Sequence, residues 1–156
     1  MIMDLFSFNL TELIAAGVAF LAVIISWHQY KLYKARERSK VFTSLNVRYL
    51  ESEDVQAVVK YLSKTGRPAT EIPDDYRTEL FLRFFEEVGV YLESESLEPK
   101  PVEQLFGYYL YEIFTSEKGK ELLKACDYHD SQWEYLVKFK NYMSKVEAKW
   151  KDIPSM

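Results

Sequence analysis

Between Asn9 and Tyr30 the chain runs NLTELIAAGVAFLAVIISWHQY, with Glu12 its only ionised side chain. The pattern then switches abruptly: KLYKARERSK at 31–40 carries five cationic side chains and one anionic. Beyond it, apolar residues return three and four positions apart, the repeat of helices with one buried face. The first run predicts a helix over residues 10–30. At about 1.5 Å per residue this is ~31 Å long and matches a hydrocarbon core of about 30 Å. Phe6 and Phe8 flank one end and Trp27, Tyr30 and Tyr33 the other, where aromatic rings favour the headgroup boundary. A cleaved signal peptide needs a basic start and small residues at the cut, but Asp4 lies in the start and WHQY follows the run. A helix lying flat on a membrane needs a charged face, which residues 13–27 lack. A buried helix of a water-soluble domain is more often interrupted by charge over such a length. A single span is the expectation.

Residues 31–51 contain neither Pro nor Gly and continue the span as a basic stalk. After Ser52, a suitable N-cap, residues 53–64 put Val55, Val58, Val59 and Leu62 on one face. GRPATEIPDD at 66–75 is the clearest loop. Residues 75–96 place Phe81, Phe84, Phe85, Val88, Tyr91 and Leu92 on the stripe of a strongly amphipathic helix. After LEPKP, Pro101 suits the first turn of a helix through VEQLFGYYLYEIF. Residues 117–125 either extend that helix or form a short one, and CDYHDSQ at 126–132 makes a turn. A last helix over 131–150 carries Trp133, Leu136, Val137, Met143, Val146 and Trp150. The expected fold is all-α: a short outer segment (1–9), a transmembrane helix (10–30), a stalk (31–51), and a bundle of four to five helices (52–156).

Composition narrows the function classes. The chain has 156 residues, 48% hydrophobic and 28% charged, which excludes a disordered or low-complexity chain. One Cys excludes a disulfide framework and a thiolate zinc site. A net charge of −4 argues against a protein that grips duplex DNA. That charge is uneven: −2 over 1–30 (Asp4 and Glu12), +4 over 31–40, and therefore −6 over 41–156. The positive block beside the span places the larger part in the cytoplasm and the N-terminus outside. Lys31, Lys34, Arg36, Arg38 and Lys40 are positioned for anionic lipid heads, at roughly 1 kcal/mol each.

One side of the span is unusual. Glu12, Ala15, Ala19, Ala22, Ser26, Gln29 and Tyr33 follow alternating spacings of three and four, so a seam of small and polar side chains crosses the bilayer. Membrane helices associate by close backbone approach and shared polar contacts, because lipid is as apolar as Leu. The seam therefore predicts self-association, or lining of a pore. The plain alternative is that Ala is common in spans and Glu12 reaches the outer headgroups.

Reactive chemistry is sparse. The five glycines are isolated, so no phosphate-cradling loop forms. Cys126, Asp127, His129 and Asp130 lie close together, but the only other His is His28 at the membrane edge, too few for zinc. Cys126 and His129 are the only nucleophile and base pair, with no visible orienting group. No cofactor, metal or catalytic residue is expected. Glu86 and Glu87 follow FLRFF in the most apolar helix, and Arg83 or Arg77 is the expected partner of one of them. Phe106, Tyr108, Tyr109, Tyr111 and Phe114 share one helix; such a cluster more often fills a core or subunit interface than stacks bases.

The run FLRFFEEVGVYLESESLEPKPVEQLFGYYLYEIF, followed by SQWEYLVKFKNYM, resembles a family of bacterial single-span proteins with a helical cytoplasmic domain of unknown function. The similarity covers residues 41–145 and implies fold and topology but no activity. The layout also looks like the small membrane accessory proteins of type VI-B CRISPR systems. That resemblance implies a ring-shaped homo-oligomer forming a pore in the bacterial inner membrane during anti-phage defence, with a CRISPR effector or its RNA as an indirect partner. Some of that group carry a degenerate HEPN ribonuclease motif, Arg followed four to six residues later by His. Here the nearest approach is Lys124 to His129 in KACDYH, and Lys is a poor substitute for a planar bidentate donor. The alternatives are a membrane-tethered adaptor that docks a cytosolic protein or RNA, and a degenerate ribonuclease of that type.

Overall fold

The computed structural model describes residues 10–63 and 72–145. It is all-helical, with no strand among the described residues: α1 (Leu10–Glu51), α2 (Glu53–Leu62), α3 (Asp75–Glu93), α4 (Pro99–Thr115), α5 (Glu117–Ala125) and α6 (Glu134–Ser144). One 3-10 turn (Asp130–Gln132) precedes α6. The chain forms two compact units, one ending at Glu37 and one beginning at Arg38, and α1 belongs to both. The second unit therefore starts earlier than the boundary at 52 expected from the sequence. The cause is packing: Leu45 and Tyr49 are buried, and Val41 and Phe42 lie against the same core. This half of the stalk is a core helix.

Local signals set the helix ends. Only Ser52 separates α1 from α2; its Oγ accepts from the Val55 amide at 3.3 Å, as a capping residue should. The Gln56 side-chain amide donates to the Tyr49 carbonyl at 2.6 Å, satisfying a group that α1 leaves open at its end. Asp74 caps α3 through the Arg77 amide at 2.8 Å. Beyond α3, Glu95 adopts φ 54°, and the amides of Ser96 and Leu97 both donate back to the Tyr91 carbonyl. Pro99 opens α4, two residues before the expected start, so both prolines of PKP fall in the first turn, where amides need no helical partner. Ser116 ends α4 and caps α5: its hydroxyl donates to the Glu112 carbonyl at 2.7 Å and accepts from the Gly119 amide at 3.0 Å. Residues 117–125 are thus a separate short helix.

α6 begins at Glu134 and not at 131, because Trp133 sits at φ −131°, ψ 66°, outside the helical region. Its buried stripe is Leu136, Phe139 and Met143, with Trp133 and Val137 only partly covered. Phe139 was absent from the expected stripe, and Val146 and Trp150 lie outside the described residues. Most of the loop at 66–75 does too.

The core of the second unit is aromatic. Phe106 on α4 stands at the centre, with Tyr49 of α1 at 5.0 Å, Phe84 at 5.4 Å and Phe85 at 6.4 Å between ring centroids, all edge-on. Such geometry adds about 0.5–1.5 kcal/mol per pair beyond the area buried. α3 and α6 pack closely at Gly89, where an added Cβ would come within 2.5 Å of the Tyr135 carbonyl oxygen. The Tyr49 hydroxyl is buried without a hydrogen-bond partner among the described residues, and burial pushes its pKa well up.

Two stability outcomes follow. Gly89→Ala lowers the thermal midpoint of the detergent-solubilised protein, followed by circular dichroism, with a cost of about 1–3 kcal/mol from forced separation of α3 and α6. Tyr49→Phe keeps the ring and removes an unsatisfied hydroxyl, so its midpoint equals or exceeds that of the unaltered protein, by up to about 1 kcal/mol. A fall on the same scale as Gly89→Ala would mean that the hydroxyl has a partner.

Candidate functional site

The apolar half of α1 is the most distinctive surface of the first unit. Leu13, Phe20, Val23 and Trp27 are 58%, 67%, 66% and 60% exposed. α1 contains an 18-residue window of mean hydropathy 1.7, none of it buried, and is the one candidate membrane span among the described residues. Because the helix is unbroken, the spacing of Glu12, Ala15, Ala19, Ala22, Ser26 and Gln29 places them along one side of it. A shallow groove of about 490 Å³ runs past Ala22, Ser26 and Tyr30 on this unit. At the polar end the Lys31 ammonium stands 5.4 Å from the centre of the Trp27 ring.

The basic residues divide. Lys31, Lys34 and Arg36 belong to the first unit, Arg38 and Lys40 to the second. Arg38 donates from Nε to the Glu95 carbonyl at 2.9 Å, and its Nη1 lies 3.3 Å from Glu98. It ties α1 to the corner between α3 and α4.

A second surface is a groove of about 650 Å³ lined by Glu79, Arg83, Glu86, Glu87, Val90, Tyr91, Gln132 and Trp133. Its carboxylates do not pair as the spacing suggested. Arg83 binds Glu79 one turn away at 2.6 Å, and Arg77 reaches Asp54 at 3.3 Å. Glu87 instead takes Arg48 of α1 at 2.7 Å, and this carboxylate holds the guanidinium pKa above its usual value. Glu86 accepts from the backbone amides of Tyr135 and Leu136, supplying from α3 the cap that Trp133 cannot provide for α6. Neither Arg83 nor Arg77 pairs with Glu86 or Glu87, whose partners lie 39 and 49 residues away, beyond the reach of a rule for neighbours on one helix.

The residues at 124–130 are dispersed. His129 is exposed and lies 3.4 Å from Asp127, while Lys124 is exposed in the last turn of α5; no hydrogen bond or ion pair joins the two. The Cys126 thiol points at the Leu123 carbonyl, 3.6 Å away, and is not bonded to His129. Burial, opposed by backbone hydrogen bonds and reinforced by Asp75 and Glu79, pushes its pKa up. Among the described residues no cluster of His, Cys, Asp or Glu is arranged to hold a metal. No protein-family model, curated protein or solved structure matches the chain.

A raised pKa leaves less thiolate at neutral pH, so iodoacetamide alkylates Cys126 at pH 7.5 more slowly than it alkylates free cysteine. The rate rises through a midpoint above the ordinary thiol value of about 8.5. A midpoint below that value would mark an activated thiol and reopen nucleophilic chemistry at this turn.

Proposed function

We propose that the protein is a non-enzymatic single-pass membrane protein whose copies associate through the span. In this reading its N-terminus is outside and the helical unit is cytoplasmic. The observation that carries it is the apolar half of α1: large apolar side chains are exposed on all of it but the seam of small and polar residues, with no charged face. Transfer of each such side chain out of water is worth about 1.5–3 kcal/mol, a demand that lipid meets. The cationic block at 31–40 supports the orientation. The seam from Glu12 to Gln29 supports close approach of identical helices. A ring or pore in the bacterial inner membrane, serving anti-phage defence beside a CRISPR effector, is what the resemblance in layout adds.

A second reading, a tethered adaptor for a cytosolic protein or RNA, is favoured by the groove at Tyr91 and Trp133, which offers ring faces beside charged groups. In that case the span serves only to anchor.

The two differ in mass and in sensitivity to the seam. The full chain resists alkaline extraction from membranes and migrates in detergent as a multiple of its 18.5 kDa protomer. Ala19→Leu with Ala22→Leu stays in the membrane but shifts towards the protomer and loses any dye leakage from vesicles. A protomer-sized wild type leaves the adaptor; release at alkaline pH defeats both.

A further inference from the structure

α1 is unbroken from Leu10 to Glu51, and its last turns belong to the second unit. There Leu45 is buried in the middle of the face that meets the core, with Val41, Phe42 and Tyr49 around it. Thr43, Val47 and Leu50 are exposed, Val47 by 42% and Leu50 by 60%. At about 100° per residue these three stand about 140–200° round the helix from Leu45, on the side away from the core. They also share a count. Continued past Gln29 and Tyr33 in steps of three and four, the spacing of the seam in the span falls on Arg36, Lys40, Thr43, Val47 and Leu50. All five are exposed.

Alternating steps of three and four mark the first and fourth places of a heptad, the places that meet when two helices wind about each other. Val47 falls on a first place and Leu50 on a fourth. A β-branched residue at the first and Leu at the fourth favour two parallel strands. Copies inserted into one membrane in the same orientation are parallel, and a two-fold axis along the membrane normal brings them together without stagger, Val47 to Val47 and Leu50 to Leu50. The core of each copy lies on the far side of its own α1, so it does not obstruct this meeting. We propose that the outward face of α1 at Thr43, Val47 and Leu50 is covered by the same face of a second copy of this chain, as a short parallel coiled coil. The contact rests on the membrane reading above and carries the pairing of copies beyond the lipid. Three places are too few to hold two free chains, but chains kept side by side by their spans meet at a high effective concentration. Arg36 and Lys40 bound the contact, because like charges repel across such a seam, and its apolar part starts at Thr43.

Cross-linking and charge insertion on the full chain test it. In a Cys126→Ser background, oxidation in the membrane links Leu50→Cys chains to one another as a dimer, whereas Val90→Cys, 40% exposed on α3 of the same unit, stays unlinked. Val47→Lys with Leu50→Lys raises the dissociation constant of the assembly in detergent about tenfold, through desolvation and repulsion of the added charges. The thermal midpoint of this variant stays that of the unaltered protein, since both side chains are exposed. Equal linking of Leu50→Cys and Val90→Cys would overturn the proposal as random collision in the membrane. In an assembled wild type, failure of either the Leu50→Cys link or the lysine effect would overturn it alone and leave the seam within the span standing. A wild type that is a protomer in detergent would overturn both.

Discussion

α1 has to satisfy two solvents with one backbone. Over its first half, large apolar side chains cover all but one narrow side of the helix and no side chain of its own unit covers them. Over its last fourteen or so residues one face is apolar and buried, while Val47 and Leu50 stand exposed on the other. Most of the remaining structure follows from where that change occurs. The aromatic core assembles on Phe42, Leu45 and Tyr49, so the domain borrows its first helix from the segment that leads to the proposed lipid boundary. Arg38, at the change itself, is held by the corner of α3 and α4 and fixes where the domain begins.

The fold was largely legible because its signals are local. Ser52 and the apolar stripe of 75–96 announce themselves within a few residues, and the helices they predicted are present. Local signals fail where the deciding partner is remote in the chain. Charge at 31–40 masks the apolar positions 41, 42, 45 and 49, and the rings at 42 and 49 pack on Phe84 and Phe106, far along the chain. The start of α6 at Glu134 carries no local signal, because its capping group comes from Glu86, on another helix.

The candidate site was legible in a narrower sense. The seam from Glu12 to Gln29 is a property of spacing on an unbroken helix, and the helix is unbroken. Arg38 looked like its cationic neighbours, and only tertiary structure separates it from them. Val47 and Leu50 fall on the same spacing further along, but only the fold shows that they are exposed. Lys124 and His129 show the opposite case, a recognisable spacing to which the fold gives no shared geometry.

The capping of α6 by Glu86 also bears on the order in which the chain acquires structure. An eleven-residue helix is too short to persist in water by itself, and the carboxylate that receives the amides at its start lies 49 residues earlier in the chain, on α3. The C-terminal helix thus consolidates as α3 receives it, and not as an autonomous seed. Until Phe139 of α6 arrives, the Phe85 ring of α3 lacks that aromatic neighbour, a kinetic window in which the incomplete core is open to mispairing.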